Sequence, residues 1–185
     1  MSDGQDIVFE VRYSHPPTGN TTSLLSLATS SQTSTIAAGT ELADYQASVL
    51  LWDIRSASAP RIQYNEVHSD DVTELNFHPT DPAILLSGST DGLGNILDTR
   101  ITDEDEVVVT AFNHGSVHKA GFLNQTEVFA ISHDEKFALY SMEDDNKAAT
   151  KEFGDLREVV GCQYVANVFP KAAGAGAVIG AGSQE

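Results

Sequence analysis

Ser89, His68 and Asp91 are the residue types of a hydrolytic triad, in which a hydroxyl needs a base and the base an orienting carboxylate. No strained nucleophile turn and no oxyanion-hole signature accompanies them, so a hydrolase is the minor alternative and the chain is read as non-catalytic. His114 and His118, with His133 and Asp134 downstream, have the ligand chemistry of zinc. A four-residue spacing aligns ligands on a helix, whereas these residues fall on a loop and a strand, where a structural or solvated role is expected. The Gly-Ala-rich residues 174–182 lack the Lys-Ser/Thr end and the βαβ setting of a phosphate loop. No cofactor and no metal is expected. Arg55 and Arg100 each follow an acid, Asp53 and Asp98, by two positions, and they stand 45 residues apart. A guanidinium can meet a carboxylate through two parallel hydrogen bonds, which Lys cannot reproduce.

The same interval runs through the segments that must hold these residues. Val49-Leu50-Leu51-Trp52-Asp53-Ile54-Arg55 is an aliphatic run ending in Trp-Asp, and 45 residues after Trp52 comes Leu97, followed by Asp98-Thr99-Arg100. Val117, Ala120 and Phe122 stand 45 residues after Val72, Leu75 and Phe77; Ser132-His133-Asp134 follows Ser89-Thr90-Asp91 after 43. Each run is short, apolar at alternate or continuous positions, and bounded by Pro, Gly or Asp, as buried antiparallel strands require. A repeat of this length with several short strands predicts an all-β array of four-stranded units at residues 22–67, 68–113 and 114–154. In the first unit, residues 41–47 lengthen the hairpin before the Trp-Asp strand. Partial units are expected at 6–13 and 158–185, the second starting with a strand at 159–165.

These residues resemble the WD40-repeat β-propeller family, over most of the chain. The resemblance implies about three full blades with partial blades at each end, an incomplete ring that further blades or a second chain would close. It also implies hydrogen-bonded tetrads of Trp, Ser or Thr, His and Asp, onto which Thr40, Trp52, His68, Ser89, Asp91, Ser132 and Asp134 map. The pattern departs from the family where Leu97 and Tyr140 replace Trp and where His114 sits one residue too close to its strand. Trp52-Asp53-Ile54-Arg55, and the weaker Leu97-Asp98-Thr99-Arg100, resemble the box through which substrate receptors dock on a cullin-4 ubiquitin-ligase adaptor. The function implied is a protein–protein interaction scaffold, with that receptor role as the alternative.

Composition narrows the partners. Asp and Glu number 27 against 10 Lys and Arg, a formal charge of −17, which repels nucleic acid and anionic membrane and leaves proteins as the expected partners. The acidic runs at 103–106 and 143–145 are expected in solvated loops. No stretch approaches the roughly 20 apolar residues of a membrane span. With one cysteine, Cys162, and no basic-then-apolar start, the expected location is intracellular, cytoplasmic or nuclear.

Overall fold

Short apolar runs set off by turn residues pair here in sequential hairpins, and the second strand of each full sheet is buried along most of its length. The computed structural model describes residues 14–15, 20–56, 59–143, 148–171 and 176–183. The expected strand over residues 7–13 lies outside them. A two-stranded ladder, β1 (Ser14–His15) with β2 (Asn20–Thr21), precedes the first full sheet. That sheet runs β3 (Leu24–Ser30), β4 (Thr35–Thr40), β5 (Val49–Asp53) and β6 (Ile62–Tyr64), each strand antiparallel to the last. The second is β7 (Val72–Phe77), β8 (Ile84–Ser89), β9 (Leu93–Asp98) and β10 (Val108–Asn113). The third is β11 (Val117–Phe122), β12 (Glu127–Ser132), β13 (Lys136–Ser141) and β14 (Lys151–Asp155). A short helix α1 (Leu156–Val160) leads to the ladder of β15 (Tyr164–Pro170) with β16 (Ala177–Gly182).

Helix α1 replaces the strand expected at 159–165. Asp155 caps it by accepting from Arg157 N–H at 2.8 Å, and Gly161 ends it in the left-handed region at φ 72°. The pair Val159-Val160 suggested a strand because β-branched residues favour one, but the two caps decide the local conformation and both side chains face solvent.

The first strands of successive sheets, β3, β7 and β11, lie side by side, as the inner strands of a propeller do. Ser26 Oγ donates to Val72 O at 2.8 Å and Thr73 Oγ1 to Val117 O at 2.7 Å, so each time a hydroxyl on one inner strand bonds the first carbonyl of the next. A register shift recurs near the start of every inner strand, between Leu24 and Ser26, Val72 and Glu74, Val117 and Lys119, and Val165 and Asn167. Such a bulge bends the strand and raises its twist, which lets neighbouring sheets fan out. Glycine permits the close approach behind it: a Cβ on Gly88 would lie 2.8 Å from Val117 Cγ1, and one on Gly39 would overlap Val72. Apolar layers fill the spaces between sheets. Val49, Leu51 and Tyr64 meet Val72, Leu75, Leu85 and Leu97; Leu86, Ile96 and Phe112 meet Val117, Ala120 and Tyr140; Ile131 and Phe137 meet Val165 and Val168. Among the described residues no helix is long and apolar enough to cross a membrane.

Candidate functional site

The hairpins place loops at two opposite ends of the sheets. At one end Ile54 N–H donates to Ser34 O and Thr99 N–H to Ala83 O, so the turns carrying Arg55 and Arg100 sit there. At the other, Leu42 N–H donates to Asp71 Oδ1, His114 N–H to Gly92 O and His133 N–H to Ser116 O, which collects the 41–47 hairpin with the turns of the second and third sheets.

His68 lies beneath this second face with its side chain fully buried. Its Nδ1 is 3.0 Å from Asp91 Oδ2 and its Nε2 2.8 Å from Ser87 Oγ. An ionised carboxylate only accepts, so Nδ1 carries a proton and donates it to Asp91. Asp91 also accepts from Ser69 N–H at 2.9 Å and Leu93 N–H at 2.8 Å. Burial pushes the Asp91 carboxyl up, but the His68 hydrogen bond and charge, with the Leu93 and Ser69 amides, outweigh it and hold the group below its ordinary value. Ser89 does not meet His68. Its hydroxyl donates to Asp70 O at 3.0 Å and accepts from Asp91 N–H at 3.1 Å. The serine on the histidine is Ser87, two residues earlier on β8 and therefore on the same strand face. A shared-face count from Ser89 would have found it.

The other sheets make different arrangements from the same positions. In the first, Thr40 Oγ1 accepts from Ser48 N–H at 2.8 Å, while Trp52 is paired across the sheet with Ile36 and packs on Ala38 and Leu50. In the third, Ser132 Oγ accepts from Asp134 N–H and Lys136 N–H, both at 3.3 Å. His114 and Tyr140 take up the side-chain polar link: Nδ1 is 2.9 Å from the tyrosine hydroxyl and Nε2 2.8 Å from Lys136 O. Tyr140 stacks on Phe112 at 4.1 Å, and burial pushes its hydroxyl pKa up to about 12. A cavity of about 290 Å³ opens beside this pair, lined also by Glu152. His118 faces His133, not His114, with ring centroids 4.9 Å apart, and Ser116 Oγ is 3.0 Å from His133 Nδ1. Burial, then the neighbouring His133 and Lys119, lower the pKa of His118.

The Asp–Arg pairs form matching forks. Arg55 donates through Nε to Asp53 Oδ1 at 2.9 Å and through its terminal nitrogen to Oδ2 at 2.7 Å; Arg100 does so to Asp98 at 2.8 and 2.7 Å. The fork holds the Asp53 carboxyl down at about 2. Both guanidiniums remain mostly exposed, Arg55 by 71% and Arg100 by 63%. A third fork, Arg157 on Asp155, has the same Asp-x-Arg spacing but lies off the 45-residue interval, at the α1 start on the opposite face. Glu104 also departs from the solvated loop expected for residues 103–106: its Oε2 accepts from Asn65 N–H and Glu66 N–H, both at 2.6 Å, and so fixes the outer loop of the second sheet to the first. Tyr45 was hidden in the sequence as one residue of a long hairpin. It is fully exposed at the tip, with φ 65°, and Asp44 beside it has φ 53°.

Comparison with known proteins gives a consistent pattern. No family model matches the chain. An uncharacterized WD repeat-containing protein of Saccharomyces cerevisiae is 39% identical over 139 residues, which is 73% of this chain and 36% of that protein. One of Schizosaccharomyces pombe is 41% identical over 143 residues, 71% of this chain and 43% of the relative. The WD repeat-containing protein 89 homolog of Dictyostelium discoideum is 30% identical over 120 residues, 63% of this chain and 33% of the relative. The chain thus spans less than half the length of these curated relatives.

Proposed function

This chain belongs to the WD-repeat family, and on that premise we propose that it is a non-catalytic scaffold whose sheets hold partner-binding loops at their two ends. The observation that carries the reading is the use made of the triad-type residues. His68 is fully buried with both ring nitrogens engaged, and the Ser89 hydroxyl is committed to the Asp70 carbonyl, so the set fastens a turn and offers no free base beside a free nucleophile. On this reading the units at 22–67, 68–113 and 114–154 act as blades, in a ring that further blades or a second chain would close. The exposed recognition candidates are the 41–47 hairpin and the 103–106 loop, in which Glu104 is the positioning residue. Residence in the cytoplasm or nucleus is part of the same reading. Affinity capture of the tagged chain from its source cells tests it: a protein retained near one-to-one through stringent washing is expected. Turnover of small esters or peptides that vanishes in Ser89→Ala would overturn it.

The repeated fork favours one narrower reading, docking on a cullin-4 ligase adaptor through Arg55 and Arg100. Two guanidiniums, each forked on its own aspartate at the same end of neighbouring sheets, leave their outer edges exposed for a partner. Arg55→Ala with Arg100→Ala should abolish adaptor co-purification at unchanged thermal stability. Adaptor binding that survives the double substitution, or none by the parent, rejects this role.

A further inference from the structure

We propose that the tip of the 41–47 hairpin is a docking site for an arginine-bearing segment of a partner protein, with Tyr45 as its stacking platform; this deepens the scaffold reading and rests on it. Ala43 and Gln46 exchange two backbone hydrogen bonds of 2.9 Å, closing a two-residue turn in which Asp44 and Tyr45 both take positive φ. That geometry is the I′ turn, which prefers Asn-Gly and disfavours a bulky aromatic at its second position. Tyr45 at 102% relative exposure recovers nothing for this strain by packing within the chain. The hairpin is also held in place. Leu42 N–H donates to Asp71 Oδ1 at 2.7 Å and Glu41 N–H to Ser23 O at 2.9 Å, so the ring is presented on a supported base.

Charge selects the partner. Asp44 precedes Tyr45 in the turn, Glu41 opens the hairpin, and Asp71, with Asp70 before it in the chain, holds its base through Leu42 N–H. No Lys or Arg occurs from residue 13 to 54 or from 62 to 99, so the sequence around the tip has acids and no competing cation. An open phenol face on an acid-rich hairpin suits a planar cation, which stacks on the ring while its edge forks a carboxylate. Arginine does both, whereas lysine offers a point charge. Tyrosine also brings contact area at low entropic cost, which is why it anchors interfaces. The site faces away from Arg55 and Arg100, so it works independently of that end.

The test is fluorescence anisotropy of the purified chain with a labelled peptide, Gly-Ser-Arg-Gly-Arg-Gly-Arg-Ser-Gly, and its Lys counterpart. Tyr45→Gly removes the ring at a position where Gly is the favoured residue, so the variant folds. The expected results are binding of the Arg peptide by the parent, about tenfold weaker binding by Tyr45→Gly, binding within about twofold by Tyr45→Phe, and a weaker Lys peptide. Glu143→Gln, which removes one charge at the other end of the sheets, should change nothing. Equal binding by the parent and Tyr45→Gly would reduce the effect to bulk charge and overturn the site, as would equal Arg and Lys affinities or no binding. If a stoichiometric partner is still captured by the chain, such a failure leaves the scaffold reading standing; loss of both removes the scaffold as well.

Discussion

Replacing His68 by Ala should cost about 3–5 kcal/mol of folding stability, a large share of the roughly 5–15 kcal/mol that a domain has to lose. Three losses contribute. Ser87, itself fully buried, loses the partner of its hydroxyl, and an unsatisfied buried hydroxyl costs about 1–3 kcal/mol. The imidazole leaves a cavity under the second sheet, worth about another 2 kcal/mol. Asp91 keeps the Ser69 and Leu93 amides but loses a charge-assisted bond. Equilibrium urea unfolding of parent, His68→Ala, Ser87→Ala and the double variant measures this at neutral pH. The two single losses should exceed the double loss, because the second substitution removes a group already orphaned by the first. The low Asp91 pKa adds a pH signature. Its stabilisation is complete above the unfolded carboxyl value, near 3.9, and is lost as pH falls through the lower folded value, so the parent should lose more stability on acidification than His68→Ala. A His68→Ala loss below about 1 kcal/mol, or strict additivity with Ser87→Ala, would refute the coupled network.

Gly88→Ala should destabilise by about 1–3 kcal/mol in the same assay, since its Cβ would press on Val117 and part the second and third sheets. Arg100→Ala should change stability by less than about 0.5 kcal/mol, because the fork lies at the surface. The depressed His118 pKa keeps the folded ring neutral while the unfolded one charges, so stability should fall as pH drops below about 6.5. His118→Gln should fall less over that range in parallel urea titrations.

The repeat was legible because the same positions are buried in successive inner strands: Val72 and Leu75, either side of a bulge, are repeated by Val117 and Ala120 45 residues later. The all-β architecture and the three four-stranded sheets followed from that spacing. What escaped depends on long-range geometry or on caps. Glu104 resembles its acidic neighbours in sequence, and only the folding of its loop onto β6 brings it to Asn65 and Glu66. Helix α1 was concealed by Val159-Val160, although Asp155 and Gly161 carry its start and stop signals. His68 and Asp91 meet in the structure, but the hydroxyl on the histidine belongs to Ser87 and not Ser89, which only the position of the ring along β8 decides. Tyr45 gave no signal, since an Asp-Tyr pair is not the sequence expected for a turn with two positive φ angles.

The central claim, that this WD-repeat chain works by holding a protein partner on its loops, is tested most directly by hydrogen exchange on the complex captured from source cells. The account predicts new protection confined to the loop ends, with residues 41–47 foremost, while amides inside β4, β8 and β12 exchange as in the free chain. Capture of no stoichiometric partner, or a complex that leaves every loop end unprotected, would contradict it.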